Sequence, residues 1–372
     1  MDFSFTEDQL ALRDLARQIL EKEVTDKRQK EIDQDSDRVD RKTWGELAKA
    51  QLLGVAIPEA DGGSGLGFLE LGLVAREIGR VAAQVPYYPT IVLGALPLAT
   101  FGTAEQKRRD LPGVLTGERF LTGAIDEGAG PIAASRQGDR WRLGGIRDCV
   151  PLAHLAARIV VLARTGGGRG AFLVDPKAEG VLLERQTLTT GAQAARLTLE
   201  GAPAEPLGDP ARGDEIARWI VEHATVTLCL VEAGAAAKAV AMTAQYTTGR
   251  HQFGRPIATF QAVAQSAADA YVDTQAITWT AWRAADRLAR SADATREIAV
   301  AKVFASEAGQ RIAAAAQHLH GGMGVDVDYS LYRYTLLAKE CELSLGGATE
   351  QLARLGALIA EHADFASLET AS

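Results

Sequence analysis

The hydrophobic period of this 372-residue chain changes twice, which limits the folds that it can adopt. Apolar residues recur at helical spacing over residues 6–24 and 41–53. Over residues 120–207 the apolar segments are short, β-rich and bounded by Gly or Pro, as in strands. Beyond Asp214 the sequence returns to long Ala-rich amphipathic segments. The pattern predicts an α+β chain in three parts.

The predicted parts are an N-terminal helical domain over 1–118, a β-barrel-like middle domain over 119–211 and a C-terminal helical domain over 212–372. Thr6 and Asp40 are expected N-caps, because short polar side chains there can accept hydrogen bonds from the first turn of a helix. Further N-terminal helices are expected at 68–79 and 88–101. The last domain is expected to be a four-helix bundle, with helices at about 215–249, 258–288, 292–319 and 329–364.

Composition excludes several classes of function. The formal charge of −8 provides no basic field for nucleic acid. The three cysteines, Cys149, Cys229 and Cys341, lack metal-ligand spacing and are expected to be buried thiols in a reducing compartment. The acidic, amphipathic N-terminus and the lack of an apolar run near ~18 residues predict no membrane segment and a cytoplasmic protein.

Two motifs carry the chemistry. One reads Arg250-His-Gln-Phe-Gly-Arg-Pro-Ile-Ala-Thr-Phe-Gln261, and the other reads His318-Leu-His-Gly-Gly-Met-Gly324. An arginine at a helix end, followed by a Gly-Arg-Pro corner, places a bidentate cation beside a turn suited to a pyrophosphate. The Gly-Gly corner lets a second backbone approach closely.

Together these motifs resemble the flavin-contacting half of the acyl-CoA dehydrogenase family, whose Arg-x-x-Phe-Gly-x-x-Ile-x-x-Phe-Gln and Gln-x-x-Gly-Gly-x-Gly signatures they match except at His318. The resemblance covers the whole chain and implies FAD as cofactor, an acyl-CoA substrate and electron-transfer flavoprotein as partner. It also implies that these residues reach the FAD of a neighbouring subunit. The implied cofactor-binding residues are Arg250, Gln252, Phe253, Phe260, Gln261, His318, Gly321 and Gly322.

The family's reaction needs a carboxylate that removes the α-proton of the acyl-CoA, with FAD as hydride acceptor. In most members this glutamate precedes the last helix, where the present chain has Gly346. In other members it lies ten positions before a glycine of an earlier helix, and counting back from Gly234 gives Ala224. Both positions lack a carboxylate, so no catalytic base is predicted in this chain.

Four glutamates lie near these positions in the sequence: Glu222, Glu232, Glu342 and Glu350. Each is expected to be a surface carboxylate. Glu222 is two residues from Ala224, a rotation of about 200° around a helix, so it should face away from the direction of Ala224. Of the four, Glu350 is the best candidate to replace the missing base, because it begins a helix close to the Gly346 turn.

The flavin pocket of the middle domain is also altered. The family's hydroxyl-bearing Thr-Glu-Pro-x-Ala-Gly-Ser-Asp segment is here Ile125-Asp-Glu-Gly-Ala-Gly-Pro-Ile132. The next strand normally ends with an aromatic residue and a hydroxyl, but here Cys149 cannot stack on a flavin and Pro151 offers neither a hydroxyl nor an N–H. The middle domain is therefore expected to keep its fold without holding its own flavin.

The two motifs that would contact the FAD of a neighbouring subunit are kept. The residues that would form this chain's own flavin pocket and catalytic base are missing. The chain thus resembles the non-catalytic subunit of heterotetrameric actinobacterial acyl-CoA dehydrogenases of steroid side-chain degradation. That resemblance implies an α2β2 complex in which a paralogous catalytic subunit supplies the glutamate. Two alternatives stay open: a homotetrameric dehydrogenase with a displaced base such as Glu350, and a non-enzymatic scaffold on the same fold.

Overall fold

A computed structural model describes residues 4–126, 130–138 and 140–361. The N-terminal region contains six α-helices. They are α1 (Glu7–Glu23), α2 (Asp26–Asp33), α3 (Arg41–Lys49), α4 (Phe68–Arg80), α5 (Leu96–Phe101) and α6 (Ala104–Leu115). A π-helical segment, Tyr88–Ala95, leads directly into α5, so the predicted helix at 88–101 has two geometries.

Both predicted N-caps are confirmed. Thr6 and Gln9 form a capping box at the start of α1, each side chain bonding to the backbone of the other. The Asp40 carboxylate accepts from the backbone N–H of Thr43, at 3.2 Å, and begins α3. Local side-chain chemistry therefore sets where these helices start.

The middle region is a seven-stranded sheet that closes on itself. Its strands are β1 (Phe120–Ala124), β2 (Ala133–Gln137), β3 (Arg140–Pro151), β4 (Ala156–Thr165), β5 (Gly168–Val174), β6 (Val181–Thr187) and β7 (Gln193–Pro206). Pairing runs from β4 through β2, β3, β7 and β5 back to β4, while β1 and β6 attach at the sides. Alternate inward residues such as Ile159, Val161 and Phe172 fill the interior. The predicted barrel-like domain is confirmed.

The C-terminal region is helical. It contains α7 (Gly213–Gly249), a small hairpin of β8 (His251–Gln252) and β9 (Arg255–Pro256), α8 (Gln261–Ala289), α9 (Thr295–His320), α10 (Leu331–Leu343) and α11 (Ala348–Glu361). The single helix predicted over 329–364 is wrong, since α10 and α11 are separate. Leu345 and Gly346 both have left-handed backbones, with φ of 57° and 86°, which a continuous right-handed helix cannot contain.

The described chain divides into two compact units, one ending at Thr227 and the next beginning at Leu228, within α7. The helical stretch Pro210–Gly249 is long and apolar enough to cross a membrane by length and composition, but 72% of its apolar window is buried, as in the core helix of a soluble protein. The three-domain division drawn from the sequence stays a prediction.

One expectation about the cysteines is wrong. Cys229 and Cys341 are buried, but Cys149 is exposed. It lies in a bulge of β3, where the pairing with β7 shifts between Arg147 and Val150, and its φ of 55° turns the side chain out of the regular strand pattern.

Candidate functional site

The first motif forms a projecting hairpin at the end of α7. Phe253 and Gly254 make its two-residue turn with φ of 53° and 78°, the two positive values that a type I′ turn requires. The backbone N–H of Ile257 donates to the Arg250 carbonyl, at 2.8 Å, and closes the base of the hairpin. Glycine accepts this geometry readily, whereas phenylalanine at positive φ is uncommon.

The hairpin presents a cation and an aromatic ring outward. The exposed Arg250 guanidinium has no hydrogen bond or ion pair with the described part of the chain. Phe253 is 93% exposed, and its ring meets Phe260 edge-on at 6.1 Å. The Arg255 guanidinium lies 4.3 Å from the centre of the Phe260 ring.

Two glutamines complete the predicted residues of this motif. The Gln252 side-chain amide donates to the neighbouring His251 carbonyl at 2.8 Å, and Gln252 is exposed. Gln261, also exposed, is the first residue of α8. The structure therefore places all five predicted residues between the base of the hairpin, at Arg250, and the first residue of α8, at Gln261.

The second motif ends α9 and enters a short 3-10 helix, Gly321–Val325. Gly321 has φ 59° and ψ −138°, a backbone conformation that glycine adopts and other residues avoid. A Cβ at Gly322 would meet nothing within 4 Å, and Gly322 does not have a positive φ. His318 is exposed beside them. Within the described residues nothing requires glycine at position 322.

A stacked pair of rings brings the two motifs together. Tyr246, one turn before Arg250 on α7, stacks on His320 with ring centroids 4.4 Å apart and an interplanar angle of 25°. Neither ring was predicted as part of the site. The only signal in the sequence was a histidine immediately before the Gly-Gly corner, and sequence spacing cannot show which α7 side chain it meets.

These residues fit FAD at its phosphates and at a close backbone contact. An unpaired guanidinium suits an anionic pyrophosphate, and the open face at Gly322 leaves room for a planar group to approach the backbone. The fit is partial, because Arg250 is exposed and Phe253 is 93% exposed.

The described polar groups of the middle-domain strand end bond within the sheet. The Cys149 N–H donates to the Gln186 side chain at 2.8 Å, and the Asp148 carboxylate accepts from Arg196 at 2.7 Å. The Thr122 hydroxyl donates to the Pro151 carbonyl. The bulge is thus held by contacts within the sheet. Residues 127–129, part of the altered 125–132 segment, lie outside the described residues.

Neither usual base position carries a carboxylate. Ala224 is fully buried in α7. His223 beside it packs on Trp219 and Phe68, and burial lowers its pKa to about 4, so it is neutral.

Glu350 lies close to the other base position, Gly346. A Cβ at Gly346 would lie 2.6 Å from Oε2 of Glu350, so this carboxylate fills the space where a side chain at Gly346 would begin. Glu350 is exposed, as expected from the sequence, and forms an ion pair with Arg354 one turn further along α11.

The expectation that Glu232 is a surface carboxylate is wrong. Glu232 is 1% exposed, and Gly309 on α9 makes room for it, since a Cβ there would lie 2.6 Å from Oε1. Burial raises the pKa of Glu232 to about 8, although the nearby Lys302 opposes the shift. Glu232 is therefore mainly protonated near neutral pH.

Glu222 and Glu342 are half-buried rather than exposed. The Glu342 carboxylate pairs with Lys339 on the same helix, at 2.5 Å. This pairing gives Glu342 a local structural partner.

Comparison with known proteins decides the family. Residues 6–118 match the acyl-CoA dehydrogenase N-terminal domain, and residues 211–358 match the acyl-CoA dehydrogenase C-terminal domain. The chain belongs to the acyl-CoA dehydrogenase family. The family and the fold class predicted from the sequence are confirmed, and FAD is the cofactor of this fold family.

Several acyl-CoA dehydrogenases are similar over almost the whole chain. FadE27 of Mycobacterium tuberculosis is 38% identical, with 97% of this chain and 99% of FadE27 covered. A chain of the ChsE4–ChsE5 complex from the same organism is 37% identical with a TM-score of 0.93, covering 97% of this chain and all of that one. A chain of the Tcur3481–Tcur3483 steroid acyl-CoA dehydrogenase is 43% identical with a TM-score of 0.91, covering 96% and 99%. The predicted likeness to subunits of heteromeric steroid dehydrogenases is confirmed.

The buried state of Glu232 predicts a pH-dependent stability difference. A carboxyl group whose pKa is raised by folding contributes stability that is present below the unfolded value of about 4.3 and lost as pH rises through the folded value. Glu232→Gln should therefore raise the free energy of unfolding near pH 8 by more than about 1 kcal/mol, since one pKa unit corresponds to about 1.4 kcal/mol. The gain should shrink towards pH 4.

Urea unfolding at pH 5 and pH 8 measures this difference. Glu307→Gln, which removes an exposed carboxylate from α9, is the control and should show little pH-dependent change. A Glu232→Gln protein that is less stable than the parent at pH 8 would contradict a mainly protonated Glu232.

Proposed function

We propose that this chain is the flavin-completing subunit of a heteromeric acyl-CoA dehydrogenase. A paralogous catalytic subunit holds most of the FAD and supplies the base, and the complex desaturates an acyl-CoA between its α and β carbons. The assembly is α2β2 with one FAD per αβ pair, electrons pass to electron-transfer flavoprotein, and the compartment is the cytoplasm. The observation that carries the proposal is the exposed Arg250, whose guanidinium has no partner among the described residues, on a hairpin whose Phe253 is 93% exposed.

The chain's own residues would act on the cofactor of the partner. The Arg250 guanidinium would pair with the pyrophosphate through two parallel N–H donors, and Phe253 would be covered by the partner. Gly322 would let the backbone after α9 lie against the cofactor. Bound FAD supplies the redox chemistry, and this subunit orients it.

The absence of a local base supports a partner that provides one. Gly346 and Ala224 offer no carboxylate, and Glu232 is buried and mainly protonated. General-base loss lowers turnover by roughly 10²–10⁴-fold or more, so an isolated chain of this kind would be inactive.

The substrate class is proposed from the relatives. One similar structure is described as a steroid acyl-CoA dehydrogenase, and it and the ChsE4–ChsE5 complex are both two-protein assemblies. We infer a bulky acyl group, such as a steroid side-chain thioester. A tetramer that has two functional sites in place of four could leave more room for such an acyl group.

A second candidate is a homotetrameric dehydrogenase that uses Glu350. It is favoured by one observation, the position of the Glu350 carboxylate in the space next to Gly346. Against it stand the exposure of Glu350, its ion pair with Arg354 and the altered Cys149–Pro151 strand end.

Flavin counting tests the proposed function directly. The chain expressed alone should contain little FAD, because its own strand end lacks the flavin-binding groups. Co-expressed with the paralogue, the purified complex should contain about one FAD per two chains, measured by absorbance after denaturation. Stoichiometric FAD in the isolated chain would favour the homotetramer, and a complex without FAD would favour a scaffold.

Substitution of Arg250 tests the cross-subunit contact. A charge-assisted pair with phosphate is worth roughly 1.5–3 kcal/mol, so Arg250→Ala should weaken FAD binding by the complex about ten- to a hundredfold. Arg250→Lys should rescue only part of this loss, because the bidentate fork is missing. FAD affinity is measured by titrating the flavin-free complex.

The matched control for Arg250 is Arg290→Ala, which removes an exposed arginine at the C-terminal end of α8. This control should retain FAD. Unchanged FAD affinity in a correctly assembled Arg250→Ala complex would show that the contact is wrongly placed.

Removal of the Glu350 carboxylate separates the two candidate functions. In the proposed complex, Glu350→Gln should leave turnover within a few-fold, as should the same change at Glu222, Glu232 or Glu342. Only the surface pair with Arg354 is lost, which contributes about 0.3–0.5 kcal/mol. Steady-state turnover of the FAD-loaded complex is the measurement.

The control for Glu350 is Glu361→Gln, an exposed glutamate at the end of the same helix. A fall of 10²-fold or more with Glu350→Gln alone, with FAD and assembly intact, would establish Glu350 as the base.

A further inference from the structure

The Gly321–Val325 turn has a face without side chains of its own. Gly321 and Gly322 leave open space where a Cβ would lie, whereas Gly324 is packed so closely that a Cβ would approach the Gln317 carbonyl to 2.6 Å. One end of the turn is therefore fixed against α9 by backbone packing. The other end, which offers the open glycine face, must be oriented by its flanking residues.

His320 is the flanking residue, and both of its ring nitrogens are engaged. Nδ1 lies 2.8 Å from the Ala316 carbonyl, so it carries the proton and donates. Nε2 lies 3.2 Å from the Tyr329 hydroxyl and accepts from it. His320 is 2% exposed. One imidazole thus ties the last turn of α9 to the segment that follows the glycine turn.

The same imidazole also connects the turn with the Arg250 hairpin. Its ring stacks on Tyr246, and the Tyr246 carbonyl accepts from the Arg250 backbone N–H at 2.8 Å. The open glycine face and the unpaired guanidinium are therefore linked through a single side chain. A stack combined with two hydrogen bonds fixes both the distance and the orientation of the ring.

We propose that His320 is a positioning residue that sets the glycine turn relative to Arg250, so that both meet one FAD at the same time. This inference rests on the proposed function. His320 touches no cofactor itself. It acts through the backbone of Gly321 and through Tyr246.

The test compares FAD affinity in the assembled complex with the stability of this chain. Tyr329→Phe removes one hydroxyl and should weaken FAD binding about three- to tenfold while the melting temperature changes little. His320→Ala removes the stack and both hydrogen bonds and should weaken FAD binding more than tenfold. His320→Phe keeps an aromatic ring against Tyr246 and should fall between the two.

Two matched controls separate positioning from general packing. Tyr271→Phe removes a hydroxyl from an exposed tyrosine on α8 and should retain FAD. Leu319→Ala makes a cavity beside His320 in the buried face of α9, so it should lower the melting temperature with a smaller effect on FAD affinity. Hydrogen exchange at the amides of Gly321 and Gly322 in the isolated chain should increase in His320→Ala more than in Leu319→Ala.

The results distinguish a failure of the positioning role of His320 from a failure of the proposed function. If Arg250→Ala releases FAD but His320→Ala affects FAD affinity no more than Leu319→Ala, the positioning role is overturned and the proposed function stands. If Arg250→Ala retains FAD, the cross-subunit site itself is wrong, and the positioning role fails with it.

Discussion

The helix packing of the C-terminal unit depends on the hydrogen bonds of the buried Lys302 ammonium group. Lys302 is fully buried on α9 and donates to the carbonyls of Cys341 and Glu342 in the last turn of α10. Burial lowers the pKa of this lysine, and the negative end of the α10 dipole offsets that cost. Lys302 thereby holds the end of α10 against α9, the helix that ends at the glycine turn.

The hairpin and the middle-domain strand end differ in how their polar groups are used. The hairpin and the glycine turn present Arg250, Phe253 and His318 outward as exposed side chains. The strand end at Cys149 uses its polar groups on the sheet itself, through Gln186 and Arg196. The outward-facing residues of this strand end can vary without loss of the fold, because barrel stability comes from inward-facing residues such as Ile159 and Phe172.

Sequence patterns predicted the features that depend on local chemistry. Helix starts at Thr6 and Asp40, the barrel-like strands and the positions of both motifs follow from capping, periodicity and turn residues. Features that depend on tertiary contacts were missed. The burial of Glu232 requires the space left by Gly309 on another helix, and the outward turn of Cys149 requires a bulge in β3. The stack of His320 on Tyr246 joins residues 74 positions apart, which spacing alone cannot pair.

The left-handed backbone at Gly346 disfavours any side chain at this position. A glutamate at this position would adopt a φ of 86°, costing about 1–2 kcal/mol. The Glu350 carboxylate, which lies within 3 Å of where the new Cβ would be, is the end of a flexible, exposed side chain and can move aside. A side chain at position 346 is thus opposed by the conformation of the backbone and not by a lack of space, so the sign of φ at one residue decides which side chains this turn accepts.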